Sequence, residues 1–360
     1  MTSLAADRSL VAIVERYSAF GAHLTGSAAD VATTAWLTDL FVDIGADTTR
    51  LPYRFDRFDV ESTLMVDGVT VPSLPLYYSA VGEFGDVRVD VVRAPFATCG
   101  HARGLESMLA GRSRPVAVAV DGPDELVVQC NRVPTELSGA PGVIVAGNWA
   151  ERLDGALLNF RAELVSGRSE NLIAELGPAH ASPVTITTPL TAWTPAAGER
   201  GTGLAVAIAM ALDLARDHRV TFVACTGHEL DHSGLRHYLS TGGLAHGRVI
   251  HLGASVAAVE RSPDGVAELG AQRMALADAH HPALGALRER VESAKWTLLT
   301  PEAWPGEGGT WREAGADVLS FVGIFSLFHT AADVPSRSED AHLTEVAAST
   351  AIDAARLFLS

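Results

Sequence analysis

The chain contains few cysteines, fewer basic than acidic side chains, and no long uninterrupted apolar run. Its three cysteines, Cys99, Cys130 and Cys225, are widely spaced and form no CxxC pair. This spacing predicts no disulfide and is typical of a protein in a reducing compartment. No segment approaches the roughly 18 apolar residues of a transmembrane helix. Because the N-terminus also lacks the basic and apolar regions of a secretory signal, we expect a cytoplasmic protein with no membrane partner.

Acidic side chains outnumber basic ones, 43 to 27, and give the chain a formal charge of −16. A surface of this sign repels phosphate backbones, so nucleic acid is not an expected partner. The apolar fraction of 48% and the charged fraction of 19% provide for a buried core and give no indication of disorder. The composition therefore indicates a folded globular protein whose acidic residues keep it soluble.

Hydrophobic periodicity divides the chain into three parts. Residues 4–20 and 28–44 show helical spacing, with Ser27 as the N-cap of the second helix and Gly45 just after its end. From about residue 58 to residue 165 the chain consists of short β-rich segments separated by proline and glycine. From residue 184 onward strands and helices alternate. This alternation predicts an α/β fold, a three-layer sandwich with a mostly parallel central sheet flanked by helices.

The β-rich middle part predicts a second domain inserted into the first. The α/β domain would comprise residues 1–57 and 169–360, and the inserted domain residues 58–168. At 360 residues the chain is long enough for both. An inserted domain that covers the strand ends would admit only a small substrate.

Ionisable side chains follow two predicted strands at their C-terminal ends. The apolar run at 220–226 leads directly into His228 and Glu229, and the apolar run at 317–326 leads into His329. In α/β sheets such strand ends are where ligand and metal sites gather. An imidazole and a carboxylate from two strands that end at one sheet edge can build a metal-dependent hydrolytic site.

A second interpretation of the first cluster is a zincin site. Residues 228–232 (HELDH) match the HExxH pattern, which places two histidines on one face of a helix. Here the pattern follows directly on a strand and lies between Gly227 and Gly234. A strand-to-helix loop is therefore the preferred interpretation, with His232 as an alternative metal ligand.

Three segments resemble the co-catalytic di-zinc aminopeptidases, the family of the bacterial leucyl aminopeptidases and the glutaminyl cyclases. FGAHLTGS (20–27) is similar to that family's N-terminal Arg-x-x-Gly-Ser stretch, and SENLIAELG (169–177) is similar to the strand that opens its catalytic core. FHTAADVP (328–335) is similar to its His-Thr-x-x-Asp ending. The resemblance covers residues 1–57 and 169–360 and implies the same α/β fold. Residues 58–168 resemble the protease-associated domain of many members only in their general pattern of short β-rich segments.

The metal ligands of that family are retained only in part. The first ligand position reads TTPLTAW (187–193), without histidine or aspartate. Glu199 takes the place of the bridging aspartate, and Arg200 the place of the asparagine after it. The general-base position holds His228, and Gly253 falls on the position of a later aspartate. The resemblance therefore implies that one of the two metal sites is lost.

What remains implies a mononuclear site. Glu199, Glu229 and His329 would bind one zinc ion, with His228 accepting a proton from the bound water. Asp333 would orient His329 from outside the ligand set. His232 and His251 are further candidates as alternative metal ligands.

Each of these residues also has a structural interpretation. Glu199 could be a carboxylate at a helix N-terminus paired with Arg200. His329 could be a core histidine bonded to Asp333, and His251 a buried strand residue. These alternatives stay open at the level of the sequence.

Two loops rich in glycine and proline are predicted to form the substrate pocket. They carry bulky side chains that flank the strand ends, as pocket-forming loops do in many α/β enzymes. Anchoring of the loops by the indole rings is the alternative. The predicted pocket residues are Trp193, Arg200, Trp304, Glu307 and Trp311.

Three functional hypotheses follow. The first is a metal-dependent, aminopeptidase-like hydrolase that cleaves an amide or peptide-like bond of a small molecule or short peptide. The second is a non-catalytic relative that has lost its metals and binds a ligand or partner. The third is metal-free acid/base chemistry or acyl transfer by His228 and Glu229. The sequence leaves open which substrate is bound and whether copies of the chain assemble.

Overall fold

The computed structural model of the chain describes residues 9–243, 247–270 and 272–360. The strands are β1 (Asp47–Val66), β2 (Val69–Val71), β3 (Ser73–Pro75), β4 (Gly82–Arg88), β5 (Asp90–Pro95), β6 (Val116–Asp121), β7 (Gly142–Ala146), β8 (Leu157–Leu176), β9 (Pro183–Pro189), β10 (Arg219–Cys225), β11 (Arg248–Leu252), β12 (Val259–Arg261), β13 (Ala267–Leu269), β14 (Gln272–Leu276), β15 (Thr297–Leu299) and β16 (Asp317–Ile324). The helices are α1 (Leu10–Ser18), α2 (Ala28–Asp43), α3 (Glu106–Leu109), α4 (Thr202–Leu214), α5 (Ser233–Ser240), α6 (Leu284–Glu292), α7 (Gly306–Glu313), α8 (Pro335–Ser338) and α9 (Ala341–Leu359).

A large central sheet has the strand order β15-β14-β16-β11-β9-β10-β8-β1-β2, with β4 also paired to β8. Strands β10, β9, β11 and β16 run parallel to their neighbours within this group. On either side the pairing becomes antiparallel, at β10–β8 and at β14–β16. The predicted α/β fold, a central sheet flanked by helices, is confirmed. The sheet is mixed, and its parallel core is built where helices connect successive strands.

The helices that cover the sheet follow from apolar patterning. Helix α4 is apolar almost all round and is buried along nearly its whole length, between the sheet and helices α1 and α9. Helix α2 begins after Ser27, whose hydroxyl accepts the backbone N–H of Asp30, and Gly45 follows its end with φ +84°. Both predicted ends of this helix are confirmed. The first predicted helix is observed over Leu10–Ser18, and residues 4–8 lie outside the described part of the chain. No described helix combines the length and apolar character needed to cross a bilayer.

The middle part of the chain is joined to the central sheet by a long ribbon. Strands β1 and β8 pair without interruption from Asp47↔Glu175 to Met65↔Leu157. Beyond the ribbon, a second sheet has the order β3-β7-β6-β5 and its own apolar core. The predicted boundaries at 57/58 and 168/169 fall inside the ribbon, so the β-rich part continues two strands of the central sheet. Its division into a separate domain stays a prediction.

Asp30, near the start of α2, gives a prediction about stability and pH. It is 2% exposed, and its Oδ2 accepts hydrogen bonds of 2.7 Å from the Gly26 backbone and of 2.7 Å from the Ser169 hydroxyl. Burial raises the pKa of Asp30 from 3.8 to about 7. The folded state therefore keeps a proton that the unfolded state loses, so this contribution to stability falls as the pH rises from about 4 to about 7.

Asp30→Asn is expected to remove that pH dependence and to stabilise the protein above pH 7, by an amount on the order of 2–4 kcal/mol. Urea unfolding of both proteins across this pH range measures the difference. Asp39→Asn, on the exposed side of the same helix, is the matched control. Parallel stability curves for the wild type and Asp30→Asn would show that Asp30 ionises normally in the folded protein.

Candidate active site

The predicted polar cluster lies at the C-terminal edge of the parallel strands β10, β9 and β11. Residues 226–232 form a turn between β10 and α5, and α5 begins only at Ser233. The predicted strand-to-helix loop is confirmed. His228 and His232 therefore do not share a helix face, although their rings lie 5.0 Å apart. This excludes the zincin interpretation.

Glu199 and His329 are brought together from distant parts of the chain. His329 Nε2 lies 3.3 Å from Glu199 Oε1, and both residues are 1% exposed. The His329 backbone N–H donates to Glu199 Oε2 at 3.3 Å. His329 is also one of the residues with a positive φ, +60°, a conformation that costs about 1–3 kcal/mol in a residue other than glycine. Backbone strain of this kind gathers at functional sites.

Arg200 occupies the same buried region as Glu199. Its Nη2 lies 2.9 Å from Glu199 Oε1, and its Nε donates to the Thr191 carbonyl at 3.2 Å. Its Nη1 is buried and has no hydrogen-bond partner within the described residues. Burial alone would raise the pKa of Glu199, but His329 and Arg200 outweigh burial and lower it to about 2. The site therefore holds a carboxylate and a guanidinium in direct contact, as the pairing interpretation of Glu199 anticipates.

Asp333 does not contact the His329 ring, contrary to the role predicted from the sequence. Its two carboxylate oxygens accept the backbone N–H groups of Gly198 and Glu199, at 2.7 and 2.9 Å. The His329 Nδ1 instead meets the Gln129 carbonyl at 2.9 Å. Asp333 thus fixes the turn that carries Glu199, and a segment of the β-rich part orients His329.

Glu229 is engaged by neutral hydroxyl and amide groups. Its Oε1 accepts the backbone N–H of Thr25 at 2.8 Å and the Thr25 hydroxyl at 2.6 Å. Its Oε2 accepts the Thr191 hydroxyl at 2.7 Å. Thr25 and Thr191 were not singled out from the sequence, because a threonine carries no chemical signature of its own. Thr25 does lie within the resembling segment at 20–27, which was the only available signal.

His228 pairs with Glu307, which comes from the N-terminal turn of α7. The two side chains meet at 3.1 Å, between His228 Nδ1 and Glu307 Oε1, and Glu307 is fully buried. Burial raises the pKa of Glu307 to about 8, a shift that Arg200 opposes and Glu229 reinforces. Burial also lowers the pKa of His228 well below its usual value, and the charge of Arg200 lowers it further. Near neutral pH the pair is therefore a neutral imidazole beside a protonated carboxyl group.

The remaining predicted histidines are held by hydroxyl groups. His251 Nδ1 lies 2.8 Å from the Ser320 hydroxyl on β16, and His232 Nδ1 lies 2.9 Å from the Thr310 hydroxyl on α7. A Cβ on Gly253 would lie 2.7 Å from the His251 ring. An aspartate at that position therefore cannot coexist with His251 as it is placed here. The glycine and the histidine are matched departures from the family pattern.

Two cavities are lined by different residues of the His228-Glu229 turn. The larger, about 580 Å³, has Glu229 in its wall together with Thr25, Tyr77 and Trp193. The smaller, about 230 Å³, is reached by His228 and His251. Its other described lining residues are mostly apolar and include no carboxylate: Phe96, Ala97, Gly100, His101, Gly253, Ala254, Met274, Pro305, Gly306, Val322, Gly323, Ile324 and Phe328.

The three predicted pocket tryptophans have different environments. Trp193 lines the larger cavity, packs on Tyr77 with ring centroids 4.6 Å apart, and donates to Asn131 Oδ1 at 2.8 Å. Trp311 is fully buried in the core, so its predicted place in the pocket is wrong. Trp304 donates to the Pro301 carbonyl and lines a separate surface cavity that contains none of the other predicted site residues. Trp304 is therefore placed away from the two cavities beside His228 and Glu229, and its part in substrate binding stays a prediction.

The predicted zinc ligands can be tested against this geometry. Glu199 already faces a guanidinium, and both oxygens of Glu229 already accept hydrogen bonds. Within the described residues, no three His, Cys, Asp or Glu side chains are placed to hold one metal ion. The residues in this arrangement therefore do not fit the predicted zinc ion. Zinc binding by Glu199, Glu229 and His329 stays a prediction that requires Arg200 to leave its position.

Comparison of the whole chain with solved structures finds proteins of similar fold. A zinc aminopeptidase from Bacillus subtilis superposes with a TM-score of 0.72 at 17% identity, over 96% of this chain and 93% of that one. A peptidase M28 precursor from Shewanella amazonensis gives 0.72 at 16% identity, over 99% and 95%. An aminopeptidase from Aneurinibacillus gives 0.63 at 14% identity, over 95% and 92%.

No protein-family model matches the sequence, and no curated protein gives a significant match. The similarity to these solved structures, at 14–17% identity, therefore establishes the fold alone. The chain has the fold of the zinc aminopeptidases, which confirms the fold expected from its resemblance to that family.

Proposed function

We propose that the protein is an aminopeptidase-like hydrolase that cleaves an amide or peptide-like bond in a small substrate, with His228 as the general base. The observation that carries the proposal is the His228–Glu307 pair, a buried imidazole and carboxyl group 3.1 Å apart in which His228 reaches the smaller cavity. A histidine that acts as a general base needs a partner that holds its ring in position through the other ring nitrogen, and Glu307 contacts His228 in this way. The shared fold supports the class of reaction by analogy only.

His228 and Glu307 can act as a base once Glu307 is ionised. The carboxylate then accepts Nδ1–H, and Nε2 is left with a free lone pair for the proton of an attacking water. The charged and titratable groups that face this pair are Arg200, Glu229, His232, His251 and His329. Burial, reinforced by the charge of Arg200, keeps the imidazole neutral, which is the form a base requires.

Arg200 supplies the fixed positive charge that the reaction needs. Its unpartnered Nη1 lies in a buried region close enough to His228 to lower the pKa of that imidazole. A fixed positive charge held away from water stabilises, through its field, the oxyanion that forms when water attacks a carbonyl. His228, Glu307 and Arg200 would act without a metal ion, because Glu199 and Glu229 already contact other groups.

The smaller cavity defines the class of substrate. Its volume of about 230 Å³ suits a single residue-sized group, and its apolar walls suit an apolar one. Since the described lining contains imidazoles and no carboxylate, it offers no negatively charged partner for a protonated α-amine. We therefore expect N-acyl amides of small apolar amino acids to be better substrates than the corresponding free amines.

A panel of paired amides tests this. Each pair has the same apolar residue and leaving group, once with an N-acetyl group and once with a free amine. The N-acetyl form is expected to react with a kcat/KM at least ~10-fold higher, and treatment with a chelator is expected to leave that rate unchanged. Near-stoichiometric zinc in the purified protein, with loss of activity on chelation, would favour the predicted zinc-dependent hydrolase with Glu199, Glu229 and His329 as ligands.

A non-catalytic binding protein is the second candidate. It is favoured by Glu229, whose oxygens are both engaged, beside the larger cavity of about 580 Å³. In that case the same amides would raise the melting temperature of the protein without being cleaved. Binding without turnover across the whole panel, with and without zinc, would replace the hydrolase proposal with this one.

A further inference from the structure

Two cysteines that lie far apart in the sequence meet in the β-rich part of the molecule. Cys99 and Cys130 have their Sγ atoms 2.7 Å apart, and the two side chains are 0% and 1% exposed. The sequence spacing predicted no disulfide, and the fold changes that expectation. Cys225 lies in β10 within a different core cluster and does not take part.

The backbone around the two thiols is already held together. The backbone N–H of Asn131 donates to the Cys99 carbonyl at 2.9 Å, and its side-chain amide donates to the Gly100 carbonyl at 3.2 Å. Two hydrogen bonds thus already join the chain segment that carries Cys99 to the segment that carries Cys130. Only a small movement is needed to bring the thiols to bonding distance.

The segment that carries Cys130 also supports the candidate active site. The Gln129 backbone makes two contacts with His329. Its carbonyl oxygen meets the His329 ring, and its N–H donates to the His329 carbonyl at 3.0 Å. The backbone N–H of Arg132 donates to the Glu229 carbonyl at 3.1 Å. Residues 129–132 (QCNR) therefore connect the thiol pair to two residues of the site.

We propose that Cys99 and Cys130 form a disulfide that restrains the segment 129–132 against the site. The oxidant is a low-molecular-weight disulfide. One cysteine attacks it and releases one small thiol, and the second cysteine then attacks the mixed disulfide and releases the other. The protein loses two hydrogen atoms and the small disulfide gains them, so atoms and electrons balance. The proposal is independent of the hydrolase activity.

Thiol counting by mass spectrometry tests the bond. The protein is incubated with oxidised glutathione or with dithiothreitol, denatured in acid, blocked with N-ethylmaleimide and weighed. Of the three cysteines, the reduced sample is expected to carry a label on each, and the oxidised sample a label on Cys225 alone with a linked Cys99–Cys130 peptide. Cys225→Ala is the control and should retain the link. Labels on all three cysteines after oxidation, or glutathione adducts without the link, would overturn the proposal.

Hydrogen exchange tests the restraint. The backbone amides of Gln129, Asn131 and Arg132 are expected to exchange at least ~10-fold more slowly in the oxidised protein than in the reduced protein. Cys130→Ser should exchange at the same rate under both conditions. A linked peptide with unchanged exchange at these amides would show that the disulfide forms without restraining the site.

Discussion

Replacing Arg200 with methionine is expected to lower the free energy of unfolding by about 3–5 kcal/mol. The guanidinium is 1% exposed and lies 2.9 Å from Glu199 Oε1, so its loss leaves a buried carboxylate with His329 as its remaining partner. Methionine fills much of the same space without the charge. Urea unfolding monitored by tryptophan fluorescence measures the change.

Two further variants test whether the loss of stability comes from the unpaired buried carboxylate. Arg236→Met removes a guanidinium that is 49% exposed and paired with Asp231, and is expected to change stability by less than about 1 kcal/mol. The double variant Glu199→Gln with Arg200→Met removes both buried charges and is expected to recover most of the lost stability. A loss below about 1 kcal/mol in Arg200→Met alone would show that the buried carboxylate does not depend on the guanidinium.

The contact between Glu199 and Arg200 places a buried guanidinium where the predicted metal ion would have to bind. The resemblance places Arg200 where a neutral asparagine follows the bridging carboxylate. A guanidinium at that point provides a permanent positive charge beside the carboxylate, which a metal ion would otherwise provide. Arg200 and Gly253 both differ from the residues of the family pattern, and each fits a neighbouring side chain of this chain. Arg200 pairs with Glu199, and the absence of a side chain at Gly253 leaves room for His251.

The parts of the fold that were predictable from sequence are those set by local pattern. The apolar helix at 202–214 and the buried strands at 219–225 and 317–324 come from nearly continuous apolar runs with clear ends, and all three are present. The mixed pairing of the sheet was not predictable, because the direction of β8 and β14 depends on long-range connections. The continuous ribbon was missed because its residues alternate in burial along 20-residue strands that the pattern broke into pieces.

The candidate site was predictable in its location and only partly in its contacts. The apolar run before His228 correctly placed that residue at a strand end. The glycine-rich stretch at 303–315 was predicted to be a loop, yet tertiary packing makes residues 306–313 a helix that buries Trp311 and brings Glu307 to His228. Sequence spacing carries no information on contacts between side chains this far apart in the chain. The contact between Cys99 and Cys130 was unpredictable for the same reason.

If His228 is the base, His228→Gln is expected to reduce kcat for the preferred amide by ~100-fold or more. Glutamine retains a hydrogen-bonding group of similar reach, so its main loss is the ability to take a proton. Steady-state kinetics on the N-acetyl amide measure the effect. His280→Gln, on the exposed surface, is the control and should leave kcat unchanged. A full rate in His228→Gln would remove the imidazole from the mechanism.

The pH profile separates a base from a residue that merely supports the structure. Because burial raises the pKa of Glu307 to about 8, the pair reaches its basic form only as the pH rises through that value. The rate constant kcat/KM is therefore expected to increase as the pH rises through about 8, where it is half-maximal, and to level off above that value. In Glu307→Gln the group that titrates is gone, so the residual activity should show no step in this range. A step that persists in Glu307→Gln would assign the titration to another group, whereas its loss would show that a carboxyl group on α7 controls when an imidazole at the end of β10 can act.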